Sequence, residues 1–135
     1  LSCNIEVFDD KIARKYMPGK RATSKNAYVD TLKYATTLMG RTGNVRSMII
    51  VGLETRETFI AGIKELAQNG IQPILSVFRP LPDTPLGEMN APSMMQIASI
   101  YREVQDICKE NGLLVGPECV NCQNNTLALP SWMEE

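Results

Sequence analysis

Apolar positions fall into two rhythms along this chain. In the helical rhythm, Tyr28, Leu32, Ala35 and Leu38/Met39 form one stripe, predicting a long helix that opens at Ser24 as its cap. Phe59, Ile60, Ile63, Leu66 and Ala67 predict a second, over Glu57 to Asn69 with Gly70 just past its end. Ile97, Ile100, Val104 and Ile107 predict a third, over Ser93 to Asn111, stopped by Gly112. A short helix over Lys11 to Tyr16 fits behind Asp9 and Asp10, which are good N-caps, and stops before Pro18-Gly19. Short β-branched runs mark three strands: Ser2 to Phe8, Val45 to Val51 and Pro73 to Phe78.

Strand and helix alternate three times, which predicts parallel strands with right-handed helical crossovers. Three units fit half of a closed barrel or a small open sheet with exposed edges. Either way, functional groups belong at the C-terminal ends of the strands. The chain opens inside a predicted strand without an initiator methionine, so it reads as a fragment. Residues 1–112 form the strand-helix part and 113–135 an irregular tail.

Some polar residues interrupt the strands. In "SCNIEVF", Cys3, Ile5 and Val7 share one face while Asn4 and Glu6 share the other. A carboxylate facing inward needs a cation or hydrogen-bond donors, unless the strand end is simply wet. Arg46 can pair with Glu6 or hold a ligand carboxylate. Gly52, at the end of its strand, permits a tight turn or a close backbone approach to a ligand. Thr55 or Thr58 caps the next helix, which makes Glu54 and Glu57 first-turn acids. Arg79 opens the proline-rich loop "RPLPDTPLGEMN", where an arginine is usually solvated.

Composition narrows the function classes. The net charge is −1, which gives no bulk attraction for nucleic acid or anionic membrane. The longest wholly apolar run, Met48 to Val51, is too short to cross a bilayer. The four cysteines are too unevenly placed for a secreted disulfide framework, so a reducing cytoplasmic setting is expected. There is no histidine, which removes the commonest general base and metal ligand. Cys119 and Cys122 form a C-x-x-C in the tail, half of a tetrahedral metal site.

Four stretches, in order, resemble the radical S-adenosylmethionine (radical SAM) enzymes of the biotin synthase and lipoyl synthase group. They are "NIE", "YVDTLKYA", "IIVGLETRET" and "FRPLPDTPL", spanning Ser2 to Ile107. The resemblance implies the C-terminal half of a partial (β/α)6 TIM-type barrel, with three parallel strand-helix units and the tail. It implies S-adenosylmethionine as cofactor. A [4Fe–4S] cluster would cleave it reductively to a 5′-deoxyadenosyl radical that abstracts hydrogen from a small-molecule substrate. Asn4, Glu6, Ile50, Gly52, Val77 and Phe78 would line the cofactor, and Arg46 and Arg79 would bind substrate or a carboxylate. Lys20, Arg21 and Lys25 compete for the family's carboxylate-binding arginine. Arg46 stands where biotin synthase has a cluster-binding cysteine, which argues against that relative.

The C-x-x-x-C-x-x-C motif that holds the cluster is absent, so the cluster belongs to a part of the protein outside this chain, and activity from the chain alone is not expected. The tail cysteines would bind an auxiliary cluster or the tail would plug the barrel. Competing readings are a non-radical TIM-barrel aldolase or lyase using Glu6 and Arg46, and a non-catalytic half-barrel interaction module that self-associates through its strand edges.

Overall fold

The structure, a computed structural model, describes residues 1–116 and 126–127. Four α-helices and two strands occur among them: α1 Asp10–Tyr16, α2 Lys25–Met39, β1 Arg46–Val51, α3 Arg56–Gln68, β2 Gln72–Val77 and α4 Met94–Glu110. A 3-10 turn, Lys20–Ala22, leads into α2.

Local chemistry starts each helix where the caps predict. The Asp9 carboxylate accepts the Lys11 and Ile12 N–H groups, and Ser24 Oγ accepts that of Ala27. Thr55, not Thr58, caps α3, and Ser93 and Gln96 form a full capping box on α4. Helices α3 and α4 end alike. Gly70 and Gly112 adopt φ of +74° and +68°, and Ile71 and Leu113 donate back to Leu66 and Cys108. These are Schellman closures, and the buried Ile71 and Leu113 seal each one.

Strands β1 and β2 are parallel, with Arg46 opposite Gln72 and Val51 opposite Val77. Ser47, Ile49 and Val51 are buried, while Arg46, Met48 and Ile50 between them are half-buried. Ile49, Leu75, Leu32, Phe59, Ile63, Leu66 and Val104 belong to one core that joins the sheet to α2, α3 and α4. A smaller cluster of Val7, Ala13, Leu53 and Phe78 caps the C-terminal end of the strands.

The expected half-barrel of three strand-helix units is not what forms. Among the described residues the sheet has two strands and is open, so the chain is a small α/β domain. The predicted first strand, Ser2 to Phe8, runs beside β1 but meets it at only two isolated bridges, Ser2 with Arg46 and Glu6 with Ile49. Four residue steps on one side therefore match three on the other, which is a β-bulge.

Side chains repair the ladder at the bulge: Ser47 Oγ accepts the Ile5 N–H at 3.1 Å, and Asn4 Oδ1 accepts that of Met48 at 3.3 Å. Just beyond, Glu6 sits at φ +68° and the Val7 N–H donates to Ile5 O at 2.9 Å. This γ-turn ends the extended run. Cys3 and Ile5 still pack on the main core, but Val7 is turned into the smaller cluster.

The stripe expected along α2 is also shorter than the pattern suggests. Val29, Leu32 and Ala35 are buried, whereas Leu38, in the last turn of the helix, is 70% exposed. Of the tail, Leu113 is buried, Gly116 bridges Ile74, and the Leu127 N–H donates to Leu75 O. No described helix is long and apolar enough to cross a membrane.

Candidate functional site

The C-terminal ends of parallel strands are where open α/β sheets place their ligands. Here that rim is built from Glu6 and the turn after it, Ile50 to Gly52, and Val77 to Arg79. The Ile50 N–H donates to Glu6 O at 2.8 Å, and the Phe78 N–H donates to Val51 O at 2.9 Å, so backbone bonds join the three segments. Ile50 is half-buried and packs against the cluster that contains Phe78. Val77 is half-buried at the end of β2.

The γ-turn leaves the carbonyls of Val7 and Phe8 outside any ladder, and cations take them up. Arg21 Nη2 donates to Val7 O at 2.6 Å, and Lys25 Nζ donates to Phe8 O at 3.5 Å while lying 5.9 Å from the Phe8 ring centroid. Arg21 Nε stands 3.5 Å from Asp10 Oδ1, and its side chain is only 5% exposed. Lys20 Nζ instead reaches Glu6 Oε1 at 2.9 Å. The three basic residues that compete in the sequence therefore all converge on Glu6 to Asp10. Two of them go to backbone carbonyls, and Lys20 meets the carboxylate. Glu6 Oε2 accepts no hydrogen bond among the described residues.

Glu54 holds the same segment from the other side. Its two oxygens accept the Phe8 N–H at 3.0 Å and the Asp9 N–H at 2.8 Å. Burial pushes its carboxyl above the usual range, against the pull of those two bonds and of Thr58. The first-turn-acid reading of Glu54 misses this role, because its partners lie 46 and 45 residues away. Glu57 does behave as a first-turn acid, held low by its own backbone N–H and by the Thr55 hydroxyl.

The remaining expected residues are dispersed. Asn4 works inside the bulge, where it also accepts from Ser2 Oγ at 2.8 Å. Gly52 has φ +102°, and a Cβ there would stand 2.8 Å from Pro92 Cδ, so Pro92, just before α4, approaches its backbone closely. Arg46 begins β1, roughly 16 Å along the strand from its other end. Its Nε donates to Gly43 O at 2.8 Å, and it has no share in the Glu6 ion pair. Arg79 is exposed beside Phe78. Cys119 and Cys122 lie outside the described residues.

For an iron-sulfur cluster the described residues do not fit: no group of three His, Cys, Asp or Glu side chains that could hold a metal ion occurs among them. Cys108 is buried, and burial pushes its thiol up to about 12, which leaves it protonated and unreactive. For a nucleoside cofactor the rim offers a carboxylate with one oxygen unpaired among the described residues, and the apolar side chains of Ile50 and Phe78.

The chain is similar to the bacteriochlorophyllide c C-7(1)-hydroxylase of Chlorobaculum limnaeum, 24% identical over 105 residues. The match covers 77% of this chain and 26% of that enzyme, so the chain spans about a quarter of its relative's length. No protein-family model matches the chain, and no solved structure matches it.

Proposed function

We propose that this chain is the cofactor- and substrate-lining segment of a radical SAM enzyme. One observation carries the reading. Glu6, Ile50 and Phe78, three positions the resemblance assigns to the cofactor, adjoin one another at the C-terminal rim of two parallel strands. The similar hydroxylase adds support, since a hydroxylase replaces a C–H bond and the radical chemistry begins by abstracting hydrogen.

Bound S-adenosylmethionine would supply the 5′-deoxyadenosyl group for that abstraction. Glu6 Oε2 would accept a hydrogen bond from its ammonium or ribose hydroxyls, with Lys20 holding the carboxylate in place through Oε1. Ile50 and Phe78 give the adenine an apolar wall, and Val77 flanks it. Among the described residues nothing holds the cluster, which would come from elsewhere in the working enzyme.

The test uses the complete gene product under anaerobic conditions. S-adenosylmethionine and a low-potential reductant are expected to yield 5′-deoxyadenosine, detected by mass spectrometry. The Glu6→Gln variant is expected to bind the cofactor about tenfold more weakly, the loss of one charge-assisted hydrogen bond. No 5′-deoxyadenosine from a protein with its iron reconstituted would overturn the reading.

A further inference from the structure

A cleft of about 460 Å³ lies between the C-terminal end of α1 and the proline-rich loop after β2. Its apolar lining comes from Tyr16, Phe78, Leu81 and Leu86, and Lys15 and Arg79 add two cations. The size is that of a small-molecule site. Among the described residues neither cation is neutralised. Lys15 Nζ lies 4.9 Å from the Tyr16 ring centroid and forms no ion pair, and Arg79 makes no hydrogen bond or ion pair among the described residues.

The loop wall is built by its own bonds. Thr84 Oγ1 donates to Leu81 O at 2.8 Å, the Gly87 N–H to Thr84 O at 2.9 Å, and the Met89 N–H to Leu86 O at 3.1 Å. Leu81 is nevertheless 64% exposed. Leu81 is thus an apolar side chain held out by an ordered loop, in a cleft whose two cations have no ion-pair partner among the described residues.

The geometry points to this cleft as a binding site for a small, ring-bearing apolar carboxylate. The rings lie against Tyr16 and Leu81. The carboxylate meets the Arg79 fork, with Lys15 as a second positive charge. A neutral apolar ligand would leave both cations unused, and an extended polyanion would find only two. The assignment needs no cofactor, and it supplies the substrate side of the pocket if the radical reading holds.

The 135-residue chain is titrated with 1-pyrenebutyrate, followed by fluorescence, and with the neutral 1-pyrenebutanol. Saturable binding is expected, with the carboxylate about tenfold tighter than the alcohol. Arg79→Gln and Lys15→Gln are each expected to weaken the carboxylate severalfold with unchanged circular dichroism, and Lys64→Gln on the far helix α3 to leave it unaltered. Equal affinity for the two probes, or no loss in Arg79→Gln, would overturn the assignment. Displacement of the probe by S-adenosylmethionine would also overturn it, by making the cleft part of the cofactor pocket. Probe binding by this chain, together with a complete, iron-reconstituted gene product that forms no 5′-deoxyadenosine, would uphold the cleft and sink the radical reading alone.

Discussion

Lys20 Nζ lies 2.9 Å from Glu6 Oε1 and so ties the 3-10 turn to a residue held at φ +68°. That backbone conformation costs a residue with a Cβ about 1–2 kcal/mol, and the ion pair, with side chains 32% and 18% exposed, offsets part of it. The carboxylate thus sits on a strained support at the strand ends, the kind of place where proteins keep functional groups.

The backbone strain can be separated from the charge. Glu6→Gly relieves the φ strain and loses the pair, so its stability is expected to stay within about 1 kcal/mol of wild type. Glu6→Val puts a β-branched side chain in the same conformation and is expected to cost about 2 kcal/mol. Urea denaturation of the two variants measures the difference; equal stability would show that the turn carries no strain.

Gly62 is required by packing. A Cβ there would overlap the Phe8 ring, which lies flush against α3. Gly62→Ala, a favourable change by helix propensity, is expected to destabilise by about 2–3 kcal/mol. Adding Phe8→Leu is expected to recover part of that loss, a non-additivity visible in a double-mutant cycle.

Ser47 is wholly buried and gives the Ile5 N–H its partner. Ser47→Ala orphans that donor inside the protein, with an expected loss of about 1–3 kcal/mol. Hydrogen exchange at the Ile5 amide is the sharper readout, because it should accelerate more than exchange in β2. Uniform acceleration would mean that the bulge is not held by this bond.

Glu54 predicts a pH dependence of definite sign. Its carboxyl is raised above the ordinary value of 4.5 by burial, so the folded state binds the proton more tightly than the unfolded chain. Its contribution to stability is therefore greatest below 4.5 and is lost as pH rises through the folded value. Relative to Glu54→Gln, wild type should gain thermal stability as pH falls from neutral towards 4.5. A constant gap between the two melting temperatures would contradict the shift.

What the sequence reveals follows the range of the interactions. Caps at Asp9, Ser24, Thr55 and Ser93 bind backbone within three residues, so the helix starts are legible. Strands β1 and β2 are legible because their apolar runs are short and bounded by turns. The first strand is not, because its bulge exists only through Ser47 and Met48, more than forty residues on. The same holds for the site. Glu6 and Phe78 stand out by pattern and resemblance, but the choice among Lys20, Arg21 and Lys25 depends on which carbonyls the γ-turn leaves bare. Leu38 misleads for the opposite reason, a local helical stripe that continues to a position left 70% exposed.

The bulge between Ser2 and Glu6 has a mechanical consequence. The two bridges on either side of it are one step out of phase, so the segment cannot slide along β1 without breaking both at once. It is indexed, like a key cut with one extra tooth. The height at which the Glu6 carboxylate stands is then set by counting residues. Deleting one residue there would displace that carboxylate by a whole step even if every neighbouring side chain were kept.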